Sequence, residues 1–309
     1  MIINISDVWS DVVAKHSMFL NSEIDKGLLV LSESSQDVAI CDFIKVNRKV
    51  IVDGTPLELT SCIEDYEGRF SVGELREYVS KRLKDIFDFS EFSKKSQRPW
   101  TAYHLCLQAK YKVCCYCHMV STGTCLPDEE LKGYRPPIDH YYNKSDYPFL
   151  ALTLSNFIPC CEKCNGSQMK HSVDFAKNIH LNPFVDEESI EFELHHLVVD
   201  DDMVAKALAL ELPSENYRLT VEAKKNHAAS EASIKTFQLK NRYEAYSIQA
   251  FHLAKKMRSY AARQNMLDTV LDFSLTLSDY LEFDPDNYKD LPYGKARVCI
   301  ARQYGAISE

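Results

Sequence analysis

Nowhere in the 309 residues do about 18 apolar residues run together, so no membrane-spanning helix is expected. The opening MIINISDVWSD lacks the positive start and apolar stretch of a secretory leader, which makes a cytoplasmic location the expectation. Internal repeats and low-complexity tracts are absent. No glycine-rich phosphate loop is present either, so any nucleotide-driven trigger has to come from a partner. An excess of positive charge is missing as well. Lys and Arg number 36 against 45 Asp and Glu, a formal net charge of -9. That balance counts against non-specific attraction of nucleic acid over the whole surface. The charge is uneven, however: residues 186–215 hold ten acidic residues and one lysine, and residues 231–263 hold seven basic residues and two glutamates.

Cysteine is what the chain has in plenty. Disulfides rarely persist in a reducing compartment, yet there are 11 cysteines, and eight lie from Cys106 through Cys164. An odd total also fits a complete disulfide set poorly. Two knuckles stand out, Cys114-Cys115-Tyr116-Cys117 and Cys160-Cys161-Glu162-Lys163-Cys164. Cys114 with Cys117, and Cys161 with Cys164, each leave a two-residue gap, which lets both thiolates of a pair reach one tetrahedral zinc. Four thiolates leave no open position, so one structural Zn2+ is expected and folding should depend on it. Cys115 and Cys160 are spare. An iron–sulfur centre, a redox pair and ordinary buried cysteines are the rival readings.

Between and after the knuckles lie residues able to do chemistry. Asp139 and His140 are adjacent, so on extended backbone their side chains point opposite ways. A carboxylate can ligate a hard cation, and an imidazole can take a proton from water near neutral pH. Asn165 follows the last knuckle cysteine, where its amide oxygen is a second candidate ligand. Phosphodiester cleavage needs both an activated nucleophile and a cation against the developing charge.

The string IDHYYNKSDYPFLALTLSNFIPCCEKCNGSQMK, with the preceding CCYC, resembles the HNH nuclease family in its four-cysteine zinc form, over about residues 112–185. The resemblance implies a ββα-metal fold, with Asp139 and Asn165 holding catalytic Mg2+ or Mn2+ and His140 as general base. It implies that Asn156 holds the loop and orients the base, and that Lys170 touches phosphate. The final ligand is asparagine here where many members have histidine. His118, His171 and His180 read as packing or surface residues. A core with one ion cuts one strand at a time, so double-strand cleavage would call for a homodimer or for repositioning. The downstream Asn182-Pro183-Phe184 and a helical tail resemble HNH components of bacterial defence systems, some of which work beside an ATPase partner. DNA is the expected substrate. RNA is the alternative, as is a non-catalytic zinc module that binds nucleic acid or protein.

The expected architecture is α+β. Residues 1–98 read as a mixed α/β region, with a helix near 7–20, a hairpin over 38–60 turning at Asp53-Gly54, and a helix over 72–88 begun by a Ser71–Glu74 capping box. Residues 99–185 read as the nuclease domain, opened by a helix running from Pro99 toward Lys112. Residues 186–309 read as mainly helical, with strands near 189–195 and 217–221 and one long helix over 226–259. Its stripe of Ile234, Leu239, Tyr243, Ile248 and Leu253 is expected to be buried. A last helix is expected over 268–281. Lys235, Lys240, Arg242, Lys255, Lys256, Arg258 and Arg263 form a candidate nucleic-acid surface.

Overall fold

The computed structural model describes residues 2–71, 73–128, 131–171, 173–267 and 275–308. Among these residues the fold is α+β, with a mostly helical C-terminal region and two small antiparallel hairpins. Among the described residues, no helix is long and apolar enough to cross a membrane. The chain forms two compact units, one of residues 5–112 and 122–185, the other of residues 1–4, 113–121 and 186–309.

The first unit opens with helices α1 (Val13–Leu29), α2 (Ser35–Asp53), α3 (Pro56–Arg69) and α4 (Glu74–Ile86). The expected hairpin over 38–60 is therefore wrong, and this stretch is helical. The β-branched residues of 38–52 suggested a strand, but a long apolar face overrides that weak preference. Ile40, Phe43, Ile44 and Ile51 recur at helical spacing and are buried. The caps set the boundaries. Ser34 accepts from Asp37 N, and Thr55 with Glu58 forms a complete capping box, with Pro56 in the first turn. Gly54 thus ends one helix rather than turning a hairpin. Helix α4 lies close to its expected span, but its N-cap is Gly73 and carries no side-chain cap, so the Ser71–Glu74 box does not form. Gly27 lets α1 approach α4 closely: a Cβ there would sit 2.5 Å from Ile86 Cγ2.

Two short helices follow, α5 (Phe89–Ser93) and α6 (Ala102–Leu107), the latter shorter than the run expected toward Lys112. Then come β1 (Ile138–His140), β2 (Phe157–Pro159) and the short α7 (Glu162–Asn165). The N-terminal helices hold the loop between β1 and β2. Phe149 packs against Phe43 and Tyr66, with ring centroids 5.0 and 4.9 Å away. Thr153 Oγ1 donates to Ile51 O at 2.8 Å, Ser155 Oγ donates to Gly54 O at 2.6 Å, and Trp9 Nε1 donates to Phe157 O at 2.9 Å.

The second unit is built on β3 (Ile190–His196) and β4 (Tyr217–Ala223), paired antiparallel with Phe192 opposite Val221, as the alternating pattern indicated. Helix α8 (Asp201–Leu208) lies between these strands in sequence. The expected helix over 226–259 is broken into α9 (His227–Thr236), α10 (Leu239–Glu244) and α11 (Ser247–Leu267). The first break falls where Gln238 takes a left-handed backbone, φ 51°. Four members of the expected stripe are buried, but Ile248 is 53% exposed. Helix α12 (Leu277–Leu281) matches the end of the helix expected over 268–281, while residues 268–274 lie outside the described residues. Helix α13 (Gly294–Gln303) packs on β3, where the Gln303 side chain donates to Leu194 O and accepts from Leu194 N.

Buried histidines couple the first unit to pH. His16 is fully buried, its Nε2 donates to Leu152 O at 2.8 Å, and its Nδ1 accepts from Trp100 Nε1 at 3.1 Å. Both ring nitrogens are thus used in the neutral form, and burial lowers the pKa to about 4. The unfolded chain, with an ordinary imidazole near pH 6.5, binds the proton first. Stability is therefore fully present above pH 6.5 and is lost as pH falls toward 4. Urea unfolding across that window should show His16→Gln flattening the pH slope by about one proton relative to the wild type. An unchanged slope would contradict the assignment.

Candidate metal centre and active site

The first knuckle is a tight turn held by its own backbone. Cys114 N donates to Val120 O at 3.0 Å, and His118 N donates to Cys114 O at 2.7 Å. Val113 and Ser121 pair across its base. Its outer side is backed by aromatics: Tyr116 stacks on Phe237 with centroids 4.3 Å apart, and the Tyr243 hydroxyl donates to Cys117 O at 2.7 Å. In the second knuckle, Asn165 N donates to Cys161 O at 3.1 Å and Lys170 N donates to Cys164 O at 3.2 Å, which places Cys161 and Cys164 on one helical turn. Cys114, Cys117, Cys161 and Cys164 are all buried, and their four sulfur atoms lie within 4.8 Å of one another. Four convergent thiolates suit a tetrahedral zinc and leave no position for substrate. The donor set fits the structural ion. Cys115 and Cys160 are buried too but fall outside this group.

Beside the second knuckle, β1 pairs with β2, setting Asp139 opposite Ile158 and His140 opposite Phe157. His140 is 4% exposed, and its Nε2 donates to Ala151 O at 3.0 Å. A carbonyl can only accept, so the proton sits on Nε2 and the lone pair is left on Nδ1. Phe89 and Phe157 stand edge-on to the ring, with centroids 4.6 and 5.2 Å away. Burial, and next the charge of Lys144, push the pKa down to about 3. The imidazole is therefore neutral throughout the physiological range. Asn156 is fully buried and secures the loop that supplies Ala151 O. Its Oδ1 accepts from Tyr142 N at 2.7 Å, while Nδ2 donates to Tyr142 O at 3.0 Å and to Leu150 O at 3.1 Å.

Asp139 faces a buried cation. Lys170 Nζ donates to Asp139 Oδ1 and to His140 O, each at 2.7 Å, and both side chains are nearly inaccessible to solvent. The Phe175 ring centroid lies 4.8 Å from the same ammonium. Lys170 thus lies inside the site, against the carboxylate. Asn165, half-buried at the end of α7, is the remaining candidate ligand. Carboxylate and amide oxygens are donors of the kind a hard cation takes. An ion at Asp139 Oδ1 has to share or displace the ammonium there.

The three nearby histidines serve packing or surface. His118 is buried, with burial lowering its pKa to about 4. His180 stacks on Phe175 at 4.1 Å, and His171 is exposed. Sequence reasoning missed Phe89 and the Ala151 carbonyl, neither of which carries a motif. It also missed Glu193, His195 and Glu222, whose donor atoms lie within 4.8 Å of one another on the solvent face of the β3–β4 hairpin. Only the alternation of that strand hinted at a shared face. Lys224 spans the two carboxylates there, 2.5 Å from Glu193 and 2.7 Å from Glu222.

No protein-family model matches the chain, and no solved structure matches it significantly. The Septu protein PtuB of Bacillus thuringiensis is a distant relative, 34% identical over 83 residues. That stretch is 27% of this chain and spans only 28% of the relative's length.

Two outcomes follow from the geometry. Elemental analysis should find about one zinc per chain, retained in Cys115→Ala and lost in Cys164→Ser together with the folded circular dichroism signal; equal retention would refute the ligand set. Asn156→Ala should cost about 1–3 kcal/mol in urea unfolding, since it strands the buried Tyr142 N and two carbonyls. A cost within error of zero would mean that the loop does not depend on this amide.

Proposed function

We propose that the chain is an endonuclease that hydrolyses phosphodiester bonds, with DNA as the favoured substrate, on a ββα-metal core of the HNH type. The observation that carries this reading is the His140 imidazole. It is neutral, held by the Ala151 carbonyl and left with a lone pair on Nδ1, beside a carboxylate and a group of four buried cysteines. The succession β1, β2, α7 and the order of Asp139, His140, Asn156 and Asn165 support it. So does the limited similarity to the Septu protein PtuB, and the resemblance to HNH components of bacterial defence systems favours a defence role beside an ATPase partner.

In this reading His140 takes the proton from the attacking water through Nδ1. Asn156 fixes the loop whose carbonyl orients the ring. Asp139 and Asn165 would hold Mg2+ or Mn2+, which when bound supplies positive charge against the developing phosphate charge. Lys170 holds the Asp139 carboxylate in place through its 2.7 Å contact. RNA is the alternative polymer. The 4% exposure of both Asp139 and His140 favours a second reading, a non-catalytic zinc-stabilised module that binds nucleic acid or protein.

The test is cleavage of labelled plasmid, duplex, single-stranded DNA and structured RNA by zinc-loaded protein, with Mg2+, Mn2+ or EDTA. Wild type should cut one of these polymers, and His140→Ala should lose about 10²–10⁴-fold in rate at equal zinc content. If His140→Ala cuts as fast as wild type, His140 is not the base. If the wild type cuts nothing, even with an ATPase partner supplied, the binding module becomes the better account.

A further inference from the structure

A groove of about 510 Å³ runs along α4 and faces Ser145 and Asp146 of the loop after β1. We infer that it is the track along which the phosphodiester backbone of the substrate reaches His140, an inference that rests on the nuclease reading. Helix α4 divides cleanly into two faces. Val79, Leu83 and Ile86 are buried. Arg76, Ser80 and Lys84 line the groove four residues apart, the repeat that aligns one helical face, with Lys81 beside them. From Arg76 to Lys84 this stripe rises about 12 Å, roughly three to four nucleotides at the ~3.4 Å rise of one strand.

The cations differ in how free they are. The Arg76 guanidinium donates to Phe70 O and Ser71 O and lies 5.1 Å from the Tyr66 ring centroid, so it is fixed at one end. Lys81 and Lys84 are exposed, and among the described residues neither makes an ion pair. Two carboxylates, Glu77 and Asp146, share the groove. They keep its net charge modestly positive, which suits a strand that has to slide and leave.

The loop opposite α4 leads to the imidazole. Ser145 N donates to Asn143 Oδ1 at 2.9 Å, which fixes the turn. Between these residues, Lys144 Nζ lies 5.3 Å from the centroid of Phe89, and Phe89 stands 4.6 Å from His140. One lysine and one aromatic ring therefore separate the groove wall from the proposed base. Serine hydroxyls and exposed ammonium groups are suited to phosphate oxygens, contacts that position a strand without reading its bases.

The test uses full-length, zinc-loaded His140→Ala protein and fluorescence anisotropy on a labelled oligonucleotide and its duplex across a salt series. Adding Lys81→Ala and Lys84→Ala should weaken binding at least about tenfold near 0.1 M salt. It should also reduce the log–log salt slope by about 1.4–1.8, the value for two lost phosphate contacts. Glu77→Gln should tighten binding. Lys45→Ala with Lys49→Ala, exposed on α2 and outside the groove, is the control and should change neither quantity. Affinity and slope unchanged in the Lys81/Lys84 variant, or lowered equally in the control, would overturn the track while leaving the nuclease reading intact. If the parent protein binds no nucleic acid at all, the nuclease reading fails and the track with it.

Discussion

The buried ion pair between Lys170 and Asp139 constrains everything around the site. An ammonium and a carboxylate both removed from water are tolerable only when they meet closely and their remaining hydrogen-bonding capacity is met. Here they meet at 2.7 Å, and a second bond from the ammonium reaches His140 O. The pair therefore ties Lys170, in the segment that follows the second knuckle, to the middle of β1. Because Lys170 N also bonds Cys164 O, the knuckle, the lysine and the Asp139–His140 step are linked by short, directional contacts. Moving any one of them strands a buried charge. Cleavage of a partner from such a pair costs roughly 3–5 kcal/mol, so the geometry at His140 is held firmly.

The N-terminal helices acquire a purpose from the same contacts. They and the residues joining them carry none of the motif residues, yet Phe43, Ile51, Gly54, Tyr66, Trp9 and His16 all touch residues 149–157. That segment supplies the Ala151 carbonyl and Asn156. Positioning of the imidazole is thus shared between the second cysteine knuckle, through Lys170, and the helical scaffold. A short motif with only three-residue strands needs such support, since two-stranded hairpins are marginal alone.

Residues with spacing-dependent chemistry were readable in the sequence. Cys114, Cys117, Cys161 and Cys164 converge because two-residue gaps bring paired thiolates to one point, and Asn156 holds its loop through three hydrogen bonds. The β3–β4 hairpin was legible from alternation. Helix α2 was not, because β-branched residues on a helix that buries them look like a strand locally. Nor was the break at Gln238, which depends on a backbone conformation rather than on residue type. Phe89, Ala151 and the inward turn of Lys170 could not be read from the sequence. Their roles arise from contacts between segments far apart along it.

The proposed role of His140 as base requires a neutral ring whose proton lies on Nε2, where Ala151 O accepts it. Long-range ¹H–¹⁵N correlation spectroscopy of the zinc-loaded protein at neutral pH tests this directly. One protonated ring nitrogen, Nε2, and an unprotonated Nδ1 are expected for His140, with the pattern lost in Asn156→Ala. A charged imidazole, or a proton on Nδ1, would contradict it.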